Sequence, residues 1–89
     1  MKVRIEVTSQ DIFEGKQRSK DFCPIAIASR RAGYPLTIGA YEVCCRSIDG
    51  QCLGHTWLPK EAEEFVRRFD ENRSSVSPFS FDVNFIGAA

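Results

Sequence analysis

The chain has 89 residues, 43% hydrophobic and 27% charged, with twelve Lys/Arg balanced by twelve Asp/Glu. That is enough for one domain, residues 1–89, with a single core burying roughly 60–65% of the unfolded surface. No apolar run approaches the ~20 residues of a membrane span, and the start, MKVRIEV, lacks the apolar stretch of a secretory signal.

The expected setting is therefore cytoplasmic, with no membrane partner, and the four cysteines are expected to be reduced, small apolar side chains. Residues 1–46 carry eight Lys/Arg against five Asp/Glu, and residues 47–89 carry four against seven. This mild asymmetry falls short of the strongly basic footprint of a dedicated nucleic-acid-binding domain.

In chain order, Lys2–Val7 alternates Val3, Ile5 and Val7 with charged residues, the pattern of a half-buried strand. Ser9 is placed to cap a short helix through Asp11, Ile12 and Phe13, ended by Gly15. Residues 16–20, KQRSK, read as an exposed basic loop. Cys23-Pro24 opens a helix, because proline at the first helical position loses no hydrogen bond. Ile25, Ala28 and Ala32 follow at helical spacing, Arg30 and Arg31 suit its negative end, and Gly33 suits a left-handed stop.

Leu36–Ile38 is a short strand. Tyr41–Ile48 and Gln51–Leu58 are two longer ones joined by Asp49-Gly50, a strong hairpin signal. A second helix starts at Pro59, with Glu61, Glu63 and Glu64 early, Arg67 and Arg68 late, and an apolar stripe of Ala62, Phe65, Val66 and Phe69. Asn72–Ser77 reads as a loop. Phe79, Phe81, Val83 and Phe85 then alternate with polar residues as a last strand. The order is β-α-α-β-β-β-α-β, an α+β fold with two main helices on one face of a mainly antiparallel sheet of about five strands. Pairing the first strand with the last would close that sheet.

The densest chemistry lies in residues 41–58, where Cys44, Cys45, Cys52 and His55 are four zinc-type ligands within twelve residues. With a two-residue turn at Asp49-Gly50, cross-strand partners sum to 99. Alternation then sends Cys45 and Cys52 to one face and Cys44 and His55 to the other. Ligands split two and two across a sheet cannot share one tetrahedral metal, so no metal and no cofactor are expected, although a register shifted by a bulge would reopen the zinc site. The same geometry puts Glu42, Arg46, Leu53, His55 and Trp57 on the outer face, a composition suited to contact with a protein partner.

Two other constellations carry chemistry. The cations Lys16, Arg18, Lys20, Arg30 and Arg31, with the free N–H groups of the helix starting at Pro24, would suit a phosphate or nucleic-acid backbone. A solvated loop and ordinary C-terminal helix charges account for the same run. Cys23, at a helix N-terminus near Lys20, sits where a thiol pKa is expected to fall, and with His55 as base it would form the core of a thiol enzyme. No orienting acid or Gly-rich oxyanion turn accompanies it.

Across nearly its whole length the chain resembles a group of small proteins encoded by bacteria, actinobacteria among them, and by their phages. The resemblance rests on Cys23-Pro24-Ile25-Ala26-x-Ala28, on Leu58-Pro59 through Phe69-Asp70, and on Pro78-Phe79-x-Phe81. These are packing motifs, so what it implies is the fold and a bacterial or phage setting; the Cys-rich meander is a departure from the group's pattern. By analogy, a small phage protein without catalytic residues is expected to inhibit a host system, such as a CRISPR-type defence. The expected function is a non-enzymatic protein-binding module. A nucleic-acid or nucleotide binder using residues 16–31 is the alternative and a thiol enzyme the third; homodimerisation through an open sheet edge is compatible with each.

Overall fold

A computed structural model describes residues 2–34, 36–39, 41–46 and 51–84, with the side chains of Arg46, Cys52 and Leu53 outside that description. The elements are β1 (Lys2–Val7), α1 (Ser9–Glu14), α2 (Pro24–Arg31), β2 (Leu36–Ile38), β3 (Glu42–Arg46), β4 (Cys52–Trp57), α3 (Lys60–Glu71) and β5 (Phe79–Asn84). A 3-10 turn, Arg73–Ser75, lies in the stretch expected to be loop. This is the α+β architecture that the periodicities predict. The expected Asp49-Gly50 turn and the continuation to Phe85 lie outside the described residues.

β1 and β5 pair antiparallel, with Val3 opposite Val83, Ile5 opposite Phe81 and Val7 opposite Phe79. Their apolar sides meet because each strand alternates with the same period of two. The five strands do not make one sheet, however. Among the described residues β1-β5 and β2-β3-β4 form two sheets. The outer edge of β2 is taken by the basic loop, where the Ile38 N–H donates to the Lys20 carbonyl at 2.9 Å. On β1 the Glu6 carbonyl accepts from the Arg31 guanidinium at 2.8 Å. The edges that one continuous sheet would need are thus partly occupied.

α2 joins the two sheets. Its Ile25, Ala26 and Ala28 are buried in the core with Val3, Ile5, Leu36 and Ile38, and the small Ala side chains permit the close approach. Pro24 is its first residue, and Gly33, at φ +93°, ends it in the left-handed conformation that glycine adopts without a Cβ penalty. Ser29 is fully buried and satisfied: its hydroxyl donates to the Ala26 carbonyl at 2.7 Å and accepts from the Leu36 N–H at 3.3 Å. α3 buries Ala62, Phe65 and Phe69, with Val66 half-buried. Phe65 stacks on Phe79 of β5 at 4.8 Å between ring centres, and Phe79 on Phe81 at 5.3 Å. Each buried ring contributes about 2–3 kcal/mol by removal from water.

The cap of α1 is Thr8 rather than Ser9. The Thr8 hydroxyl accepts from the Asp11 N–H at 3.2 Å, and the Asp11 carboxylate accepts from the Thr8 N–H at 2.8 Å. With Thr8 as cap, Asp11 takes the third helical position, where its carboxylate can return to the cap amide. Ser9 would have put the apolar Ile12 there.

Candidate functional site

β3 is central in its sheet, and its alternation sorts residues as expected up to Cys45. Val43 and Cys45 are buried, and so is Leu58 just after β4; Glu42, His55 and Trp57 face outward and are exposed. Across the three strands, Thr37 lies opposite Cys44 and Cys44 opposite His55, while Glu42 lies opposite Trp57. The His55 imidazole pairs with the Glu42 carboxylate, and its ring meets Trp57 edge-on at 6.3 Å. Trp57 is 69% exposed. Glu42, His55 and Trp57 thus form one connected outer patch. The side chains of Arg46 and Leu53, expected in the same patch, lie outside the described residues.

The register beyond Cys45 corrects the uniform pairing. It passes from Cys45↔Gly54 to Arg46↔Cys52, a bulge that skips Leu53. Cys52 therefore pairs with Arg46 rather than with Ser47, and the uniform register behind the two-and-two division of the metal-type ligands does not hold. Cys44 is half-buried and disulfide-bonded, which corrects the expectation of four reduced thiols; a disulfide sulfur is not the thiolate that zinc takes. Cys23 and Cys45 are free and buried. Among the described residues no three His, Cys, Asp or Glu side chains converge as a metal site would require.

Cys23 does not sit in a thiol-activating environment. Burial pushes its pKa up, only partly countered by the amides of Ala26 and Ile25 and by Arg30. The thiol is 4% exposed and lines a cleft beside Arg18 and Lys20, whereas His55 lines an adjoining hollow with Thr37 and Cys44 that shares Lys20 and Gly39 with the cleft. Desolvation outweighs the helix dipole, which favours a lowered pKa.

The five cations of residues 16–31 are distributed over three neighbourhoods. Arg31 donates to the Asp11 carboxylate as well as to Glu6. Lys16 and Arg30 lie 5.6 and 5.3 Å from the ring of Phe22, which is 53% exposed. Arg18 and Lys20 line the cleft with Cys23. The first turn of α2 is closed: Pro24, Ile25 and Ala26 are buried, and Gly15 packs so tightly against the Pro24 ring that a Cβ would come within 2.6 Å of it. Sequence reasoning missed the cleft. Its walls are joined by Gln17 and Arg18 bonding to the end of α3, and contacts 52 residues apart leave no local signal.

No described helix is long and apolar enough to cross a membrane. Comparison of the chain with protein-family models, curated proteins and solved structures finds no match.

Proposed function

We propose that the chain is a non-enzymatic module that binds another protein through the outer face of β3 and β4, with Trp57 as its anchor. The observation that carries this reading is the exposure of Trp57 beside a His55 ring that Glu42 holds in place. A large aromatic presented on a sheet spends little side-chain entropy on binding, and tryptophan is enriched among residues that dominate interface energies. Burial that raises the Cys23 pKa weighs against a thiol enzyme. An inhibitor of a host system, the role suggested by analogy, would act through the same face.

The test is affinity capture from a bacterial host lysate with the wild-type chain and with Trp57→Ala, followed by cross-link mapping. Loss of the captured protein in a variant that melts normally, with cross-links on β3–β4, is the expected result. Equal capture by both chains would defeat the reading.

The second reading, a nucleic-acid binder, draws on the exposed Phe22 ring flanked by Lys16 and Arg30, since cations beside an aromatic ring suit a strand's phosphates and bases. Single-strand binding that weakens steeply with salt, and disappears in a Lys16/Phe22/Arg30 to Ala variant, would establish it in place of the first.

A further inference from the structure

The cleft between the basic loop and α3 has a volume of about 430 Å³, within the range of small-molecule sites. Its floor is apolar. Cys23 and Ile38 are each 4% exposed, Val66 is half-buried, and the Tyr41 ring stands at the rim, 63% exposed.

One wall is the loop carrying Arg18 and Lys20, held firmly against the helix. The Gln17 side chain donates to the Phe69 carbonyl at 2.8 Å, and the Arg18 N–H donates to the Asp70 carboxylate at 2.8 Å. Arg18 sits at φ +57°, a left-handed conformation unusual for a side-chain-bearing residue. Such a backbone persists only where surrounding contacts impose it, and here they bring Arg18 to the cleft. The other wall is α3, which contributes Glu63 and Glu71. Among the described residues Arg18, Lys20, Glu63 and Glu71 form no ion pair. Asp70 is committed to the loop, and Arg67 lies 3.7 Å from Glu64. Among the described residues the cleft therefore offers two unpaired cations on the loop, an apolar floor, and two unpaired carboxylates on α3, Glu63 and Glu71, which stand two turns apart with Arg67 between them. The negative end of the α3 dipole adds to the acidic wall.

We propose that this cleft binds a small zwitterion with an apolar body, of which a dipeptide with free termini is the simplest member. Its carboxylate faces Arg18 and Lys20, its ammonium faces Glu71, and its side chains lie on Ile38, Val66 and Tyr41. This site does not include Trp57 and does not depend on the protein-binding reading, although Lys20 and Gly39 also border the hollow of Glu42 and His55.

The experiment is titration of the full chain with Leu-Phe dipeptide, its N-acetyl form and its C-terminal amide, followed by calorimetry and by amide chemical shifts. Saturable binding of the zwitterion below about 1 mM is expected, weakening about tenfold when either terminal charge is removed, as suits loss of one charge-assisted contact. Lys20→Glu should weaken the zwitterion and leave the amide unchanged. Glu71→Lys should weaken the zwitterion and leave the N-acetyl form unchanged. Both residues are exposed, so each variant should keep the wild-type melt. No saturable binding, equal binding of all three peptides, indifference to both variants, or shifts centred on Trp57 would each overturn the proposal.

Discussion

Arg31, at the end of α2, closes a two-pronged ion pair on Asp11 in the first turn of α1, a carboxylate that is 1% exposed. The same carboxylate accepts from the Thr8 N–H, and the same guanidinium reaches the Glu6 carbonyl of β1. One contact thus ties β1, α1 and α2 into a corner. Burial alone would raise the Asp11 pKa; the Arg31 guanidinium and the Thr8 amide and hydroxyl outweigh it and hold the carboxyl below the usual range. Asp11→Ala removes a capping box, about 1 kcal/mol. It also removes a charge-assisted contact whose worth is reduced because Arg31 is half exposed. The expected loss is about 2 kcal/mol, or roughly 8–16 °C in melting temperature.

That stabilisation should also depend on pH in one direction. Because folding lowers the Asp11 pKa, the folded state binds fewer protons, so the gain is complete above about pH 5. It should drain away as pH falls through the unfolded value near ~3.9 and on to the lower folded one. Urea unfolding of wild type and Asp11→Ala at pH 7, 4 and 2.5 checks this. A stability gap that widens toward acid would contradict it.

Much of the core is legible in the residues themselves, whereas the corner is not: Thr8 caps α1 in place of Ser9, and Arg31 is spent on Asp11. The alternation of Val3, Ile5 and Val7 against Phe79, Phe81 and Val83 predicts both strands and their pairing, and Pro24 with Gly33 brackets α2. What is not legible is long-range. Nothing local says that the edge of β2 is taken by Lys20, or that Arg18 is held by Asp70, so the single sheet and the open loop were the natural expectations. The bulge at Cys45/Arg46 escapes for another reason. A turn signal at Asp49-Gly50 implies a register, and one skipped residue pairs Cys52 with Arg46 where that register would pair it with Ser47. The outer patch of Glu42, His55 and Trp57 lies on the far side of that bulge and keeps its predicted face.

The contact between Gly15 and Pro24 makes a second stability prediction. A Cβ at Gly15 would lie 2.6 Å from both Cγ and Cδ of a buried, rigid ring, so relief requires movement of the loop or the helix start. Gly15→Ala should cost about 1–3 kcal/mol by overpacking. A urea midpoint unchanged from wild type would show that the loop yields freely.

Arg18 makes the opposite prediction. Its left-handed backbone costs about 1 kcal/mol, which glycine avoids, although glycine also loosens the unfolded chain. Arg18→Gly should leave stability level or raise it by up to ~1 kcal/mol, while weakening the dipeptide titration. A clear drop in melting temperature would mean that the Arg18 side chain itself stabilises the fold.

Trp57 is the chain's single tryptophan, which makes its environment directly readable. At 69% exposure its fluorescence in the native state should be quenched by acrylamide almost as efficiently as in urea. Trp57→Ala should shift stability by less than ~1 kcal/mol, since the ring is largely exposed and meets the His55 ring only edge-on. Strong protection from quencher in the isolated chain would mean that the face is already covered, for instance by a second copy.

Cys23 separates the structural from the catalytic reading of its thiol. With its pKa raised by burial and the side chain 4% exposed, the neutral form dominates at pH 7, and alkylation must await local opening. Iodoacetamide should modify Cys23 at least ~100-fold more slowly in the native chain than in urea. Its native rate should still be rising above the ordinary thiol pKa of ~8.5. A rate that is fast and level at neutral pH would require a thiolate held in place, and that result would put the thiol enzyme ahead of the binding module.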